Sequence, residues 1–400
     1  MAHNFVLYSS VHTPLPLRLP AIPVSRGATQ EDAERCFFDL CAAEAAFCDI
    51  VAPTFTKAIA ALTQLAVRGV PLSISVSAGF LEMSKRWTPE LTTAIGEMLR
   101  APNVEPVAAD PRDGCLFAFD ISRFTETMAV ARDELGELTG RPVRAAEVSG
   151  FAINHEVYHA LGRLGIKTVF AEGAGRVNYG RHPAHLSRYG GGPLMARRLQ
   201  WLSDELRHHL RAGLQDVHSM CETLAHMPGE LAVISFPLVS LALGAGGPER
   251  GAEVLSRLAD GCSHRGIRPL TISAATEKFA TRAAEQAPPT LTAADRLPIE
   301  EAGGGGWTER VLFSRMQQAY HVGQLGGNYW GERIGDWLLQ RVNLSLPRLA
   351  GDPDSRPPTY RHIDWWTSNP GYGDTAHQVI TLYDNFIRSA ALHAEKGVER

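Results

Sequence analysis

Apolar and polar positions alternate along this chain in two periods, one of two residues and one near 3.6, and the two periods take turns. Phe5-Val6-Leu7-Tyr8-Ser9 predicts a first strand, and the prolines of His12-Thr13-Pro14-Leu15-Pro16-Leu17-Arg18 force an extended exit, so His12 falls at the strand's C-terminal end. Residues 30–48 and 55–67 have helical spacing. Leu72-Ser73-Ile74-Ser75-Val76-Ser77 alternates as a strand and turns into a helix at 78–82. Thr88-Pro89-Glu90 supplies an N-cap and a first-turn proline for a helix to Leu99. Residues 103–108 predict a third strand and 120–138 a helix. Arg144-Ala145-Ala146-Glu147-Val148 is a strand end feeding a loop, followed by a helix through Leu164. Further strands are predicted at 168–173, 197–201, 231–236 and 268–272, and helices at 251–261 and 274–285.

Alternation on this scale predicts an α/β fold, either a parallel β/α barrel or a doubly wound sheet. It covers residues 1–287. Pro288-Pro289 and the glycines at 303–306 bracket a linker, 288–306. Residues 307–400 shift to helices at 307–323, 331–344 and 376–396. In parallel α/β folds the chemistry sits at the strand C-termini, which gives the carboxylate of Glu147 its interest.

A net charge of -4 offers no electrostatic case for nucleic acid or an anionic membrane. No apolar run is expected to approach the ~20 residues of a membrane span, and residues 1–5 do not read as a secretory signal. Cys36, Cys41, Cys48, Cys115, Cys221 and Cys262 form no CxxC pair, so they read as free thiols of a reducing, cytoplasmic compartment.

Several motifs have two readings. His155-Glu156-Val157-Tyr158-His159 has the HExxH spacing of zinc proteases, with two histidines one helical turn apart and a glutamate as base. No third ligand follows at Gly165, so a chance pattern on a polar helix face is the better reading and no metal is expected. His208-His209 lie on a basic, solvated segment, and Gly190-Gly191-Gly192 is followed by no phosphate-loop lysine, so no cofactor is expected either. Trp365-Trp366 suit stacking on sugar rings and equally suit burial.

Taken together, the segments resemble the α-amylase-like branch of glycoside hydrolase family 57. His12-Thr13-Pro14-Leu15-Pro16-Leu17-Arg18 is similar to the family's opening His-Gln-Pro-x-x-x-Arg. Ser75-Val76-Ser77-Ala78-Gly79-Phe80-Leu81-Glu82 is similar to Ser-x-Ser-Gly-x-Phe-Leu-Glu, and Arg144-Ala145-Ala146-Glu147 to Arg-Asn-Thr-Glu. Ala171-Glu172-Gly173-Ala174, Leu202-Ser203-Asp204-Glu205 and Met316-Gln317 match further segments. The resemblance implies an incomplete seven-stranded parallel β/α barrel followed by an α-helical bundle. It also implies retaining chemistry on α-glucans, with Glu147 as nucleophile and an Asp acid/base about 5 Å away. His12, Glu172, Asp204 and Glu205 would contact or support the sugar.

The departures bear on activity. Pro237, in Ile234-Ser235-Phe236-Pro237, stands where the family places its acid/base Asp. Asp113 aligns with a family histidine, Gly180 falls near a family tryptophan, and the path from Glu147 to the next helix is longer than usual. Glu230 lies seven residues before Pro237 on the same strand, at the far end of the barrel. The remaining candidates for a substitute acid are Asp113 and Glu249. The expectation is a degenerate member with little or no hydrolase activity, binding a glycan or regulating a protein partner. The alternative is an active α-glucan hydrolase or transferase using Asp113 or Glu249. A metalloprotein built on His155 and His159 comes third.

Overall fold

A computed structural model describes residues 4–25, 28–173, 181–288, 307–325, 329–349, 357–360 and 371–397. Trp365, Trp366, Gly180 and all but the first residue of the expected linker lie outside the described residues. The strands are β1 (Asn4–Val11), β2 (Leu72–Val76), β3 (Val104–Ala108), β4 (Ala145–Ala146), β5 (Thr168–Ala171), β6 (Ser187–Arg188), β7 (Leu194–Arg197), β8 (Ala232–Pro237), β9 (Arg268–Pro269) and β10 (Ala284–Glu285). The first helices are α1 (Gln30–Phe37), α2 (Leu40–Ala46), α3 (Ala52–Val67), α4 (Ala78–Trp87), α5 (Pro89–Arg100), α6 (Ile121–Thr139), α7 (His155–Arg163) and α8 (Gln200–Ala212). They are followed by α9 (His218–His226), α10 (Leu238–Ala242), α11 (Gly247–Ser263), α12 (Ile272–Phe279), α13 (Trp307–Leu325), α14 (Tyr329–Leu338), α15 (Val342–Leu349) and α16 (Tyr372–Gly397).

The chain forms two compact units. The first gathers Met1–His12, Ala52–Pro111 and Ile121–Leu291. Its strands run in the order β8-β1-β2-β3-β4-β5-β7, all parallel, and a parallel bridge between Arg198 and Val233 joins the two ends. Among the described residues these seven strands make an incomplete β/α barrel, because the closure rests on a single bridge. β6 and β10 extend the sheet beyond β7, and β9 pairs with β1.

Side chains alternate between the barrel interior and the helix layer. Val6, Tyr8, Val107, Ala145, Phe170, Ala196 and Val233 form the interior core. Tyr8 stacks on Phe170, with ring centroids 4.3 Å apart, and donates its hydroxyl to Ser75 at 2.6 Å. That bond puts Ser73, Ser75 and Ser77 on the inward face of β2. α12 seals the opposite, N-terminal end: Ile272 N donates to Ser73 Oγ at 3.0 Å and Ser273 N to Glu105 Oε2 at 2.7 Å. Here the pattern had predicted a strand to 272 and a helix from 274 to 285. The strand stops at Pro269 because Thr271 caps α12, its Oγ1 accepting from Ala274 N. The strand expected at 197–201 likewise lies earlier, as β7, whose Met195 and Ala196 are wholly buried.

The second unit gathers Thr13–Val51, Arg112–Asp120 and Thr292–Arg400. α13 packs on α14 and α16, and α15 packs on α16. The Gln340 side chain ties Leu15 to this bundle twice, accepting from Leu15 N at 2.7 Å and donating to Leu15 O at 2.9 Å. The helix expected over 331–344 is two, α14 and α15. One further expectation is corrected. Leu40–Val67, 28 residues containing an 18-residue stretch of mean hydropathy 1.4, is long and apolar enough by length and composition to cross a membrane. It is broken by a π-turn at Phe47–Val51, and α3 buries its apolar face against α5 and α11 as a core helix does.

Candidate functional site

The alternation that builds the barrel core also builds its C-terminal mouth. Continuing each inward face by two residues brings Tyr8 to Ser10 and His12, Val107 to Ala109, Ala145 to Glu147, Phe170 to Glu172, Ala196 to Arg198, and Ser235 to Pro237. The register agrees. Glu147 N donates to Ala108 O at 2.8 Å, and one step beyond the Ala146–Val169 pair Glu147 comes level with Phe170. Ser10 pairs with Pro237 across β1 and β8. His12, Glu147 and Glu172 thus share one mouth and are half-buried.

Two contacts organise it. His12 Nδ1 lies 2.9 Å from Ser77 Oγ, which also accepts from Phe80 N at 3.2 Å as the N-cap of α4. The helix cap therefore orients the histidine ring. On the other side, Arg198 Nε and Nη2 both reach Glu172 Oε2 at 2.7 Å, and Glu172 Oε1 accepts from Gly173 N at 2.7 Å. The Arg198 guanidinium also lies 4.8 Å over the Phe151 ring. Arg198, Phe151 and Ser77 were not singled out from the sequence. Arg198 had a detectable signal, since it ends an apolar run two residues before a helix; Phe151 had none.

Asp113 belongs to the helical unit, where its carbonyl accepts from Arg341 N at 2.9 Å and its carboxylate lies 3.6 Å from the Arg341 guanidinium. Glu249 is exposed in the first turn of α11. The preceding loop docks on the C-terminus of α8, with Ala245 N on Arg211 O at 2.8 Å and Arg250 Nε on Gly213 O at 2.7 Å. α8 leaves the mouth at Gln200 and runs 13 residues, so this contact is about 19 Å along it. Asp204 pairs with Arg207 on the exposed face of α8, and Glu205 accepts from Ser219 Oγ at 3.0 Å. Glu230 accepts from Leu186 N at 3.4 Å, before β8 begins. His155 and His159 have ring centroids 6.3 Å apart and flank Tyr189. Among the described residues no group of three or more His, Cys, Asp or Glu is placed to hold a metal ion.

The model of glycosyl hydrolase family 57 matches residues 6–232, more than half of the chain. Among solved structures, the 4-α-glucanotransferase of Thermococcus litoralis is similar at a TM-score of 0.58 and 15% identity, covering 90% of this chain; this chain spans only 59% of it. The family 57 branching enzyme of Pyrococcus horikoshii gives 0.57 at 14% identity, covering 99% of this chain and 91% of its own. The branching enzyme of Thermococcus kodakaraensis, solved with glucose, gives 0.56 at 10%, covering 91% and 88%. At these identities the likeness shows the fold. No curated protein matches the sequence.

Proposed function

The chain belongs to glycosyl hydrolase family 57, and we propose that within it this protein binds an α-glucan or a related glycan at the barrel mouth with little or no hydrolase activity. The observation that carries this reading is Pro237. It ends β8 on the inward face, paired with Ser10, where the family resemblance places the proton donor. Proline has no ionisable group and no N–H, so it can neither protonate a leaving oxygen nor donate a hydrogen bond to one. Glu147, directly after β4, remains as a carboxylate that could attack an anomeric carbon. Without a general acid to protonate the departing oxygen, displacement of a sugar alkoxide from the anomeric carbon loses roughly 10²–10⁴-fold in rate.

Glycan binding is supported by the polar rim of His12, Ser77, Glu147, Glu172 and Arg198 above an aromatic floor of Tyr8 and Phe170, the make-up of a sugar site. Glucose in the Thermococcus kodakaraensis relative supports the same ligand class. A substitute acid is not favoured: Asp113 is engaged by Arg341, and Glu249 sits beside the far end of α8. Six free thiols suit a reducing, cytoplasmic setting.

An activated glucosyl fluoride separates nucleophile from acid, because fluoride leaves without protonation. The expected result is slow covalent attachment of the glucosyl group to Glu147 as fluoride leaves, and binding of maltotetraose without cleavage. Release of reducing sugar from maltotetraose, abolished in Glu147→Gln, would overturn the proposal.

A further inference from the structure

The loop from β4 to α7 contains two consecutive left-handed residues, Gly150 at φ 64° and Phe151 at φ 57°. Glycine adopts this conformation freely, whereas a bulky side chain does so only where its surroundings hold it there. The surroundings are explicit. Phe151 N donates to Val148 O at 2.7 Å, and Phe151 O accepts from Glu172 N at 3.1 Å. The ring meets Tyr8 edge-on, with centroids 5.9 Å apart and planes at 72°, and lies under the Arg198 guanidinium at 4.8 Å.

Phe151 packs against the interior core that contains Tyr8 and Phe170, and Arg198 of the rim lies over its other side, so the ring lies within the mouth between floor and rim. Glu147 and Phe170 point into the same space from neighbouring strands. A ring seated over that aromatic floor, level with the carboxylate, is what a bound pyranose would have to be. We infer that Phe151 occupies the sugar-ring seat beside Glu147, so that the chain closes its own binding mouth and a glycan must displace this side chain to enter. The inference rests on the glycan reading of the mouth and adds its control. The Arg198–Glu172 pair secures the closed arrangement from above, since the Arg198 guanidinium lies over the ring face and Glu172 N donates to Phe151 O. The left-handed backbone at Phe151 makes the loop ready to rearrange once the ring leaves.

The test compares the full chain with Phe151→Gly and Phe151→Asn, both of which tolerate positive φ and remove the ring. Two readouts are taken. Modification of Glu147 by carbodiimide and a small amine, followed by peptide mass spectrometry, reports cover over the carboxylate without any sugar. Exposed Glu97 on α5 serves as the internal reference. Titration with maltotetraose in a calorimeter reports sugar binding. Removing the ring is expected to raise the Glu147 rate by about tenfold with Glu97 unchanged, and to tighten maltotetraose by about tenfold. Equal Glu147 rates in all three folded proteins would overturn the inference, and maltotetraose bound equally by all three would leave the glycan reading standing alone. A Glu147 uncovered in both variants with no maltotetraose bound by any protein would support the closed mouth and remove the α-glucan reading.

Discussion

Arg198 grips one oxygen of Glu172 with two nitrogens, Nε and Nη2 each at 2.7 Å from Oε2. Their side chains are 13% and 18% exposed, which sets the pair apart from a solvated surface bridge worth about 0–1 kcal/mol. Breaking such a pair from one side leaves a charge uncompensated at the rim. Arg198→Met is expected to cost about 3 kcal/mol in urea unfolding. Glu172→Gln combined with Arg198→Met should cost clearly less than the sum of the two single changes. Additive single effects would show that the pair is not coupled.

Gly173 is required by the same ion pair. Its φ is unremarkable, but a Cβ there would overlap the Arg198 carbonyl oxygen and come within 3.0 Å of Pro183 Cβ. Backbone cannot yield as a flexible side chain can, so the segments leaving β5 and β7 would have to separate. Gly173→Ala is expected to destabilise the barrel unit by roughly 3 kcal/mol and to loosen the Arg198–Glu172 contact with it. An unchanged thermal midpoint would contradict this close approach.

Some of this architecture was legible in the sequence because it is local. The serines at 73, 75 and 77 alternate with Leu72, Ile74 and Val76, and the structure places them on the inward face of β2 with His12 against Ser77. Pro237 was legible for the same reason, as the end of an apolar run. β4 is only Ala145–Ala146 and carries no period of its own; the resemblance, not the pattern, pointed to it. What could not be read depends on contacts between distant residues. Leu15 belongs to the helical unit because Gln340 bonds it twice across 325 positions. Phe151 gives no sign of a left-handed backbone, since phenylalanine signals a turn nowhere. Thr271, by capping α12, ends a strand that the pattern of 268–272 extends to Ile272, because a cap competes with pairing only once the helix has something to pack against.

Glu105 gives the barrel a pH dependence. Burial pushes its carboxyl pKa up, against the bonds from Ser273 and Thr271 and the nearby Arg141 that favour the charge. A carboxyl raised in the folded state binds its proton more tightly there than in the unfolded chain. Its contribution is therefore fully present below the unfolded value near 4.5 and is lost as pH rises through the folded value. Glu105→Gln keeps an acceptor for Ser273 N and removes the titration. The stability of Glu105→Gln minus that of the natural protein should grow from pH 4 upward and then level off. A difference independent of pH would mean that Glu105 titrates alike in both states.

The six thiols are expected to fall into three reactivity classes. Cys41 is exposed, Cys36 and Cys48 are half-buried, and Cys115, Cys221 and Cys262 are buried. Only the thiolate attacks a disulfide reagent, and burial pushes the Cys36 and Cys48 thiols up, so both should lag behind Cys41 near pH 8. The buried three should stay silent for a different reason, lack of access. Within them, Cys262 donates to Cys221 at 3.7 Å between α11 and α9, which stabilises a thiolate on Cys221 and keeps Cys262 protonated. An aromatic disulfide reagent should therefore titrate Cys41 first, then Cys36 and Cys48 with a rate that climbs with pH, and no more until urea unfolds the protein. Early modification of Cys221 in the native protein would show that α9 and α11 part readily enough to admit the reagent, contrary to the packing seen between them.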